Sequence, residues 1–446
     1  MKLSSLEGKR ILIWGLGREG LASADFIRYH FPAQHFIFAQ DSTNPLPATI
    51  LEALGPHDSV IQGHDAIARA LNENDIIVKS PGVSLYHPLL QDWLSQGKPL
   101  TSLLNLWFSG KSDLPVILVS GTKGKSTTSA LLAHVLGKLG QRVYLAGNIG
   151  VPLGRESLSS YDIAVIETSS FQAATFDGDA ALVLMTSLYP EHLDWHGDSA
   201  TYFRDKLSLL RHARCAFAAD QVRCAVPDYG FPPNVHFSGE AGVFHRVNDR
   251  LYLDDEPFGL PDNAYLRRGH NLGNCCLVLS AALHLGFDPA RALAAMADFK
   301  GLPHRQFELG EKAGILYVDD SISTTPQSAI AALEAYQGRP VTLLAGGYDR
   351  GLDYAPLAAY VSTHPQVRII CMGACGHRIA TALESQGTPP AFVASSFEDA
   401  VRFAQDNTPS GGVILLSPAA PSYDMFTDFT QRGQIFAQLC GITACS

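Results

Sequence analysis

Short uninterrupted apolar runs, rich in β-branched residues, recur along this chain, and most end in a glycine-bearing turn followed by residues with helical spacing. "RILIWGLGREGLASADFIRYHF" opens the series, "PVILVSGTKGKSTTSALLAHVLGKLG" repeats it from residue 115, and "PVTLLAGGYDRGLDY" repeats it from residue 340. Continuous apolar runs are what strands covered on both faces require, and strand–turn–helix succession predicts parallel sheets with flanking helices. The expected fold class is α/β. The polar, glycine- and proline-bearing stretches "SGKSDLP" and "ADFKGLPHR" break the series. They predict three domains: 1–111, Rossmann-like; 112–298, built on a phosphate loop; and 299–446, again Rossmann-like.

The turns differ in what they offer. Gly15, Gly17 and Gly20 have the G-x-G-x-x-G spacing, and Asp41 closes the next apolar run, "HFIFAQD". That pattern fits a dinucleotide unit whose helix start takes a pyrophosphate while the acid meets a ribose; a tight turn without a ligand is the plain alternative. Ser80, Pro81 and Gly82 form a second turn after an apolar strand. The third, ending in Gly124, Lys125 and Ser126, resembles a phosphate loop whose first glycine should fall at Val119. Gly121 can supply the tight turn instead, and the helix start brings free N–H groups and a positive dipole end to one spot.

A length of 446 residues calls for more than one core, and 46% apolar with 17% charged residues describes an ordinary globular enzyme. No apolar run is long enough to span a membrane and "MKLSSLEGKR" lacks a signal-peptide core, so a cytoplasmic protein without membrane insertion is expected. A net charge of −10 argues against a nucleic-acid surface. Cys215, Cys224, Cys275, Cys276, Cys371, Cys375, Cys440 and Cys445 show no zinc spacing and are expected to be reduced thiols.

A phosphate loop works with a metal, and acids at strand ends can hold one. "YDIAVIETSSFQ" places Glu167 at the end of a buried strand, and "AALVLMTSLYPEHLDWHGD" leads another to His192 and Asp194. Mg²⁺ favours oxygen ligands, which suits Glu167 and Ser126 better than His192.

The loop Gly121–Thr127, "ETSSFQ", "PEHLDWHG", "GHNLGN" and "GLPHR" occur here in the order in which they occur in the Mur ligases, ATP-dependent amide-forming enzymes of peptidoglycan precursor synthesis. "DDSISTTP" and "SPAAPSYDMFTDFTQRG" resemble the C-terminal signatures of the glutamate-adding branch, and the likeness runs over almost the whole chain. The resemblance implies ATP and Mg²⁺ as cofactors, UDP-N-acetylmuramoyl-L-alanine and glutamate as substrates, and a monomer. It implies an ATP site of Gly121, Thr122, Lys123, Gly124, Lys125, Ser126, Thr127, Asn274, Arg305 and Asp320. Lys125, Glu167, His192 and Lys206 would be catalytic; Ser126 and Glu167 would hold one Mg²⁺ and His192 a second, with Lys206 carrying a carbamate that attracts metal. Gly15, Gly17, Gly20, Asp41, Ser80, Gly82 and Asn148 would line the sugar-nucleotide site. Thr324, Arg350, Ser422 and Phe429 would face glutamate.

The implied chemistry is phosphorylation of the alanyl carboxylate, followed by attack of the glutamate amine on the acyl phosphate. Closure of the third domain is expected to complete the sites. Two departures fall on the amino-acid side: the family's lysine in D-S-K-A-T-N is Ile322 here, and a second lysine is Arg350. Isoleucine cannot donate to a carboxylate and arginine is not interchangeable with lysine, so a rebuilt anchor for L-glutamate is expected over D-glutamate. A folate-polyglutamating ligase fits poorly because it lacks the N-terminal GLGREG domain. A nicotinamide-dependent dehydrogenase leaves the second loop without a purpose, and a non-catalytic nucleotide-binding regulator leaves Lys125, Glu167, His192 and Lys206 unexplained.

Overall fold

A computed structural model describes residues 1–111, 113–148, 153–154 and 158–442. Ser112, where the expected second domain begins, and Cys445 lie outside these residues. Two compact units result, Met1–Phe299 and Lys300–Ser446.

The first unit contains two parallel sheets. β1 (Ile11–Trp14), β2 (Phe36–Gln40), β3 (Ser59–Gln62), β4 (Ile76–Lys79) and β5 (Leu100–Thr101) stand in the order β3-β2-β1-β4-β5. Order reverses beside β1, the central strand, whose Ile13 is level with Phe38 and Val78. β6 (Val116–Ser120), β7 (Val143–Gly147), β8 (Ile163–Glu167), β9 (Ala180–Met185), β10 (Ala213–Ala218) and β11 (Val235–Phe237) form the second sheet, in the order β11-β10-β9-β6-β8-β7. The strands of both central pairs are buried end to end, as the apolar runs predict.

Each expected domain has its own principal sheet, yet the first two pack as one unit for a physical reason. The helix Leu103–Gly110, "LLNLWFSG", is apolar on nearly every side, and such a helix must be covered all round. Trp107 is 1% exposed and stacks on Tyr144 of the second sheet at 5.9 Å. Asn105 donates to the Thr175 carbonyl at 2.7 Å and accepts from the Asp177 N–H at 2.9 Å. One apolar core therefore runs from Ile13 and Phe38 through Trp107 to Leu118 and Ile166.

A small antiparallel sheet that the apolar-run pattern does not predict follows: β12 (His245–Val247), β13 (Arg250–Leu253) and β14 (Glu256–Phe258). The second unit has β15 (Phe307–Lys312), β16 (Ile315–Asp319), β17 (Val341–Gly346), β18 (Val367–Met372), β19 (Phe392–Val393) and β20 (Val413–Leu416), in the order β15-β16-β20-β17-β18-β19. Only β15 is antiparallel to its neighbour. All seven described cysteines are free thiols. Among the described residues no helix is long and apolar enough to cross a membrane.

Candidate active site

Val119 does not belong to the phosphate turn. It lies inside β6, fully buried, level with Glu167 of β8 and Leu184 of β9. The turn begins after the strand, at Gly121 with φ +139° and Gly124 with φ +88°, and the helix Lys125–Lys138 follows at once. A Cβ on Gly121 would stand 2.1 Å from Thr186 Oγ1, and one on Gly124 2.7 Å from Asn274 Oδ1. Both positions need glycine for backbone shape and for space. A compact loop with a helix N-terminus behind it is a ready anion cradle.

Charged groups surround this loop. Lys125 Nζ donates to the Thr122 carbonyl at 2.8 Å, and Lys206 Nζ donates to the Gly121 carbonyl at 2.8 Å. Burial, with Lys125 nearby, pushes the Lys206 amine well below the ordinary lysine range, although Glu191 and Glu167 oppose the shift. Glu167 is 1% exposed at the end of β8; its Oε1 accepts from Asn148 Nδ2 at 2.9 Å, and its Oε2 has no hydrogen-bond partner among the described residues. Thr122 Oγ1 meets Tyr202 Oη at 2.8 Å, and Lys123 pairs with Glu191 at 2.5 Å. Burial tends to raise the Glu191 carboxyl, but the Lys123 hydrogen bond and charge hold it below its usual range.

His192 takes a left-handed conformation, φ 55°, at the start of Leu193–His196. Its ring lies 4.8 Å from that of Phe171, with Nε2 3.7 Å from Glu191 Oε2. Partial burial lowers its pKa, Lys206 and Lys125 lower it further, and Glu191 works against them. The neutral imidazole that results keeps a lone pair for a ligand.

Among the described residues no group of three or more His, Cys, Asp or Glu converges to hold a metal on protein ligands alone. Mg²⁺ does not require one, since it keeps waters and shares phosphate oxygens. The orphaned, buried Glu167 Oε2 is the observation that fits a bound cation, because such an atom is costly to leave unpaired.

The first sheet offers a second cradle. Gly15 has φ +108°, a Cβ on Gly20 would stand 1.9 Å from the Gly15 carbonyl oxygen, and Ser80 Oγ donates to that oxygen at 3.0 Å. Gly17 precedes the helix Arg18–His30, and open space surrounds where a Cβ of Gly17 or Gly82 would be. Asp41, just beyond β2, accepts from Trp14 Nε1 at 3.0 Å and lies 3.4 Å from His87. Asn148 stands beside Glu167.

In the second unit the relevant residues gather at strand carboxyl ends, where open α/β sheets bind ligands. Asp320 follows β16 and accepts from Ser323 Oγ at 2.5 Å, Ser417 Oγ at 2.7 Å and the Gln306 N–H at 3.0 Å. Burial raises it to about 6 against these bonds and the charge of Arg305. Half-buried Thr324 lies in the loop after β16, exposed Arg350 after β17, buried Ser422 after β20, and Phe429 opens the helix Phe429–Cys440. Fully buried Arg432 ties two of these loops, donating to Ser321 Oγ and carbonyl at 2.9 and 2.8 Å and to the Ala420 carbonyl at 3.1 Å.

Sequence reasoning missed Arg432 and a buried chain in which Tyr86 donates to Asp205 at 2.7 Å, Asp205 meets His196 at 2.8 Å, and His196 meets Ser170 at 3.0 Å. His196 and Ser170 lie in the "PEHLDWHG" and "ETSSFQ" motifs, and Asp205 adjoins Lys206. That placement is the only signal the chain offers for them.

A glycine loop at a helix start, flanked by half-buried Lys125, buried Lys206 and an orphaned carboxylate, suits phosphate chemistry, and the comparisons give the class, ATP-dependent amide ligases, and the family. Residues 119–221 match the Mur ligase middle domain. The chain is 38% identical to a UDP-N-acetylmuramoyl-L-alanine--L-glutamate ligase of a Micromonospora species, covering 100% of this chain and 99% of that protein. It is 39% identical to the ligase of the same name from Xanthomonas axonopodis pv. citri, covering 99% and 97%. Among solved structures, UDP-N-acetylmuramate-alanine ligase MurC of Thermotoga maritima shares the fold with a TM-score of 0.59 at 16% identity, covering 97% of this chain and 99% of that one. MurF of Thermotoga maritima, in complex with ADP, gives 0.53 at 17%, covering 98% and 96%. The chain belongs to the Mur ligase family.

Proposed function

We propose that this ligase joins L-glutamate to UDP-N-acetylmuramoyl-L-alanine in peptidoglycan precursor synthesis, at the expense of ATP, in the cytoplasm. Full-length relatedness to ligases of that name supports the substrates. The observation that carries the chemistry is the pairing of Lys206 Nζ with the Gly121 carbonyl beside the Gly121–Lys125 loop, with the unpartnered Glu167 Oε2 among the acids acting on that amine.

A carboxylate does not condense with an amine in water without activation. The γ-phosphoryl group of ATP passes to the alanyl carboxylate, ADP leaves, and the glutamate nitrogen attacks the acyl carbon as phosphate departs. Both anions must be brought together, so the cations at the loop do the electrostatic work of the first step. Lys125 binds the terminal phosphates at the start of the helix Lys125–Lys138, whose N-terminal dipole end favours negative charge. Glu167 and the Ser126 hydroxyl, with His192 for a second ion, are the residues that would hold Mg²⁺. When bound, Mg²⁺ neutralises phosphate charge.

Burial lowers the hold of the Lys206 amine on its proton, and a neutral amine is the form that adds CO₂, releasing a proton, to give a carbamate. We assign Gly15, Gly17, Gly20, Ser80 and Gly82 to the diphosphate of the sugar nucleotide, with Asp41 and Asn148 at its margins. Asn274, Arg305 and Asp320 belong to ATP, and Thr324, Arg350, Ser422 and Phe429 to glutamate. The three-domain division of labour, 1–111 for the sugar nucleotide, 112–298 for ATP and 299–446 for glutamate, is part of the same proposal. Mass spectrometry of the intact protein prepared under CO₂ tests the carbamate: a gain of one CO₂, lost in Lys206→Met, is expected, and its absence overturns that assignment.

A further inference from the structure

Lys79 ends β4, one position before the Ser-Pro-Gly turn, and is only 2% exposed. Taking an ammonium out of water costs several kcal/mol unless its partners replace the lost hydration. Those it has here are neutral: Nζ donates to the Ser80 carbonyl at 3.2 Å and the Val83 carbonyl at 2.8 Å, and lies 5.1 Å from the centre of the Trp195 ring. Glu19 acts on it through its field, and no ion pair joins the two among the described residues. Glu19 itself accepts from Gln172 at 3.1 Å through one oxygen, while the other is buried without a partner.

The strand end could be filled by an unbranched apolar side chain at no desolvation cost, so packing does not explain a lysine. Its position does. The Ser80–Val83 turn that Nζ spans is clasped to the Gly15 carbonyl by Ser80 Oγ at 3.0 Å. The same turn is fastened to Trp195, whose Nε1 donates to the Pro81 carbonyl at 2.9 Å and whose carbonyl accepts from Ser84 Oγ at 2.7 Å. Trp195 stands three residues beyond His192.

We infer that Lys79 is a positioning residue for an anionic nucleotide: it fixes the turn that faces a nucleoside diphosphate at Gly15–Gly20 and, through Trp195, seats the His192 segment against that turn. Charge buried in a low dielectric acts on a nearby anion without touching it. The inference rests on the sugar-nucleotide site proposed above.

Calorimetric titration of the intact protein in EDTA, with UDP and with UDP-N-acetylmuramoyl-L-alanine, tests it. Lys79→Met should weaken both roughly tenfold or more, the scale of lost hydrogen bonds from a charged donor, and leave ATP affinity within about twofold. Its melting temperature should change little, because the desolvated charge removed is offset by the donor lost to the Ser80 and Val83 carbonyls. Trp195→Phe, which keeps a ring over Nζ but removes the donor to Pro81, should weaken the uridine ligands by about threefold to tenfold. Unchanged uridine affinity in Lys79→Met, or an equal loss for ATP, overturns the inference. If Lys79→Met does not fold, Trp195→Phe decides, and wild-type affinity there overturns it. Wild-type protein that binds neither uridine compound contradicts the site assignment as well; wild-type protein that binds them as tightly as Lys79→Met contradicts the inference alone.

Discussion

At the scale of single residues, the site depends on groups placed where their ordinary chemistry is expensive. Gly121→Ala forces a side chain onto Thr186 Oγ1 in a backbone region L-residues avoid. It should cost about 2 kcal/mol or more of stability and abolish ATP binding, read by thermal melting and nucleotide titration. Lys206→Met should do the reverse to stability, since a methionine needs no solvation, while phosphate release falls at least ~100-fold by loss of a group that acts on the reacting charges. A variant that keeps wild-type turnover would remove Lys206 from the mechanism. Asp320 makes the pH prediction. Its folded carboxyl titrates at about 6, above the ordinary aspartate value, so the folded state holds the proton more tightly. Stability therefore falls as pH rises from about 4 to about 6 and is flat above, a total of roughly 3 kcal/mol at most. Asp320→Asn should lose that slope in urea titrations taken across the window.

At the scale of elements, the strand–glycine–helix units were legible because each carries three local signals in a row. The mismatch at Val119 was legible too, though its resolution needed register: β6 continues to Ser120, so the turn starts later than the common spacing implies. The antiparallel piece at β12–β14 was missed although "HRVNDRLYLDDEPF" contains its turn signals. Asn248, Asp254 and Asp255 adopt left-handed φ values of 54°, 50° and 64°, as hairpin turns demand. The Tyr86–Asp205–His196–Ser170 chain was not legible, since nothing in local sequence says that residues 119 positions apart will meet. Lys79 was visible only as a polar residue ending an apolar strand. The apolar helix Leu103–Gly110 gives this scale its prediction. Trp107→Ala should cost about 3 to 5 kcal/mol, seen as a lower urea midpoint, because it opens a cavity between two sheets at once. A loss below about 1 kcal/mol would mean that the core is not continuous there.

At the scale of the molecule, two compact units meet the chain at Phe299–Lys300, and Lys300 is exposed. Limited trypsin treatment should cut first after Lys300 and leave two fragments that each keep a folded circular-dichroism spectrum; earlier cuts after Lys138 in the first unit or Arg368 in the second would contradict the division. The central claim is the ligation itself. Purified protein given ATP, Mg²⁺ and UDP-N-acetylmuramoyl-L-alanine should release one phosphate per dipeptide product formed with L-glutamate and turn over D-glutamate far more slowly. Phosphate release coupled to product with the D-enantiomer alone, or with neither, would contradict the account.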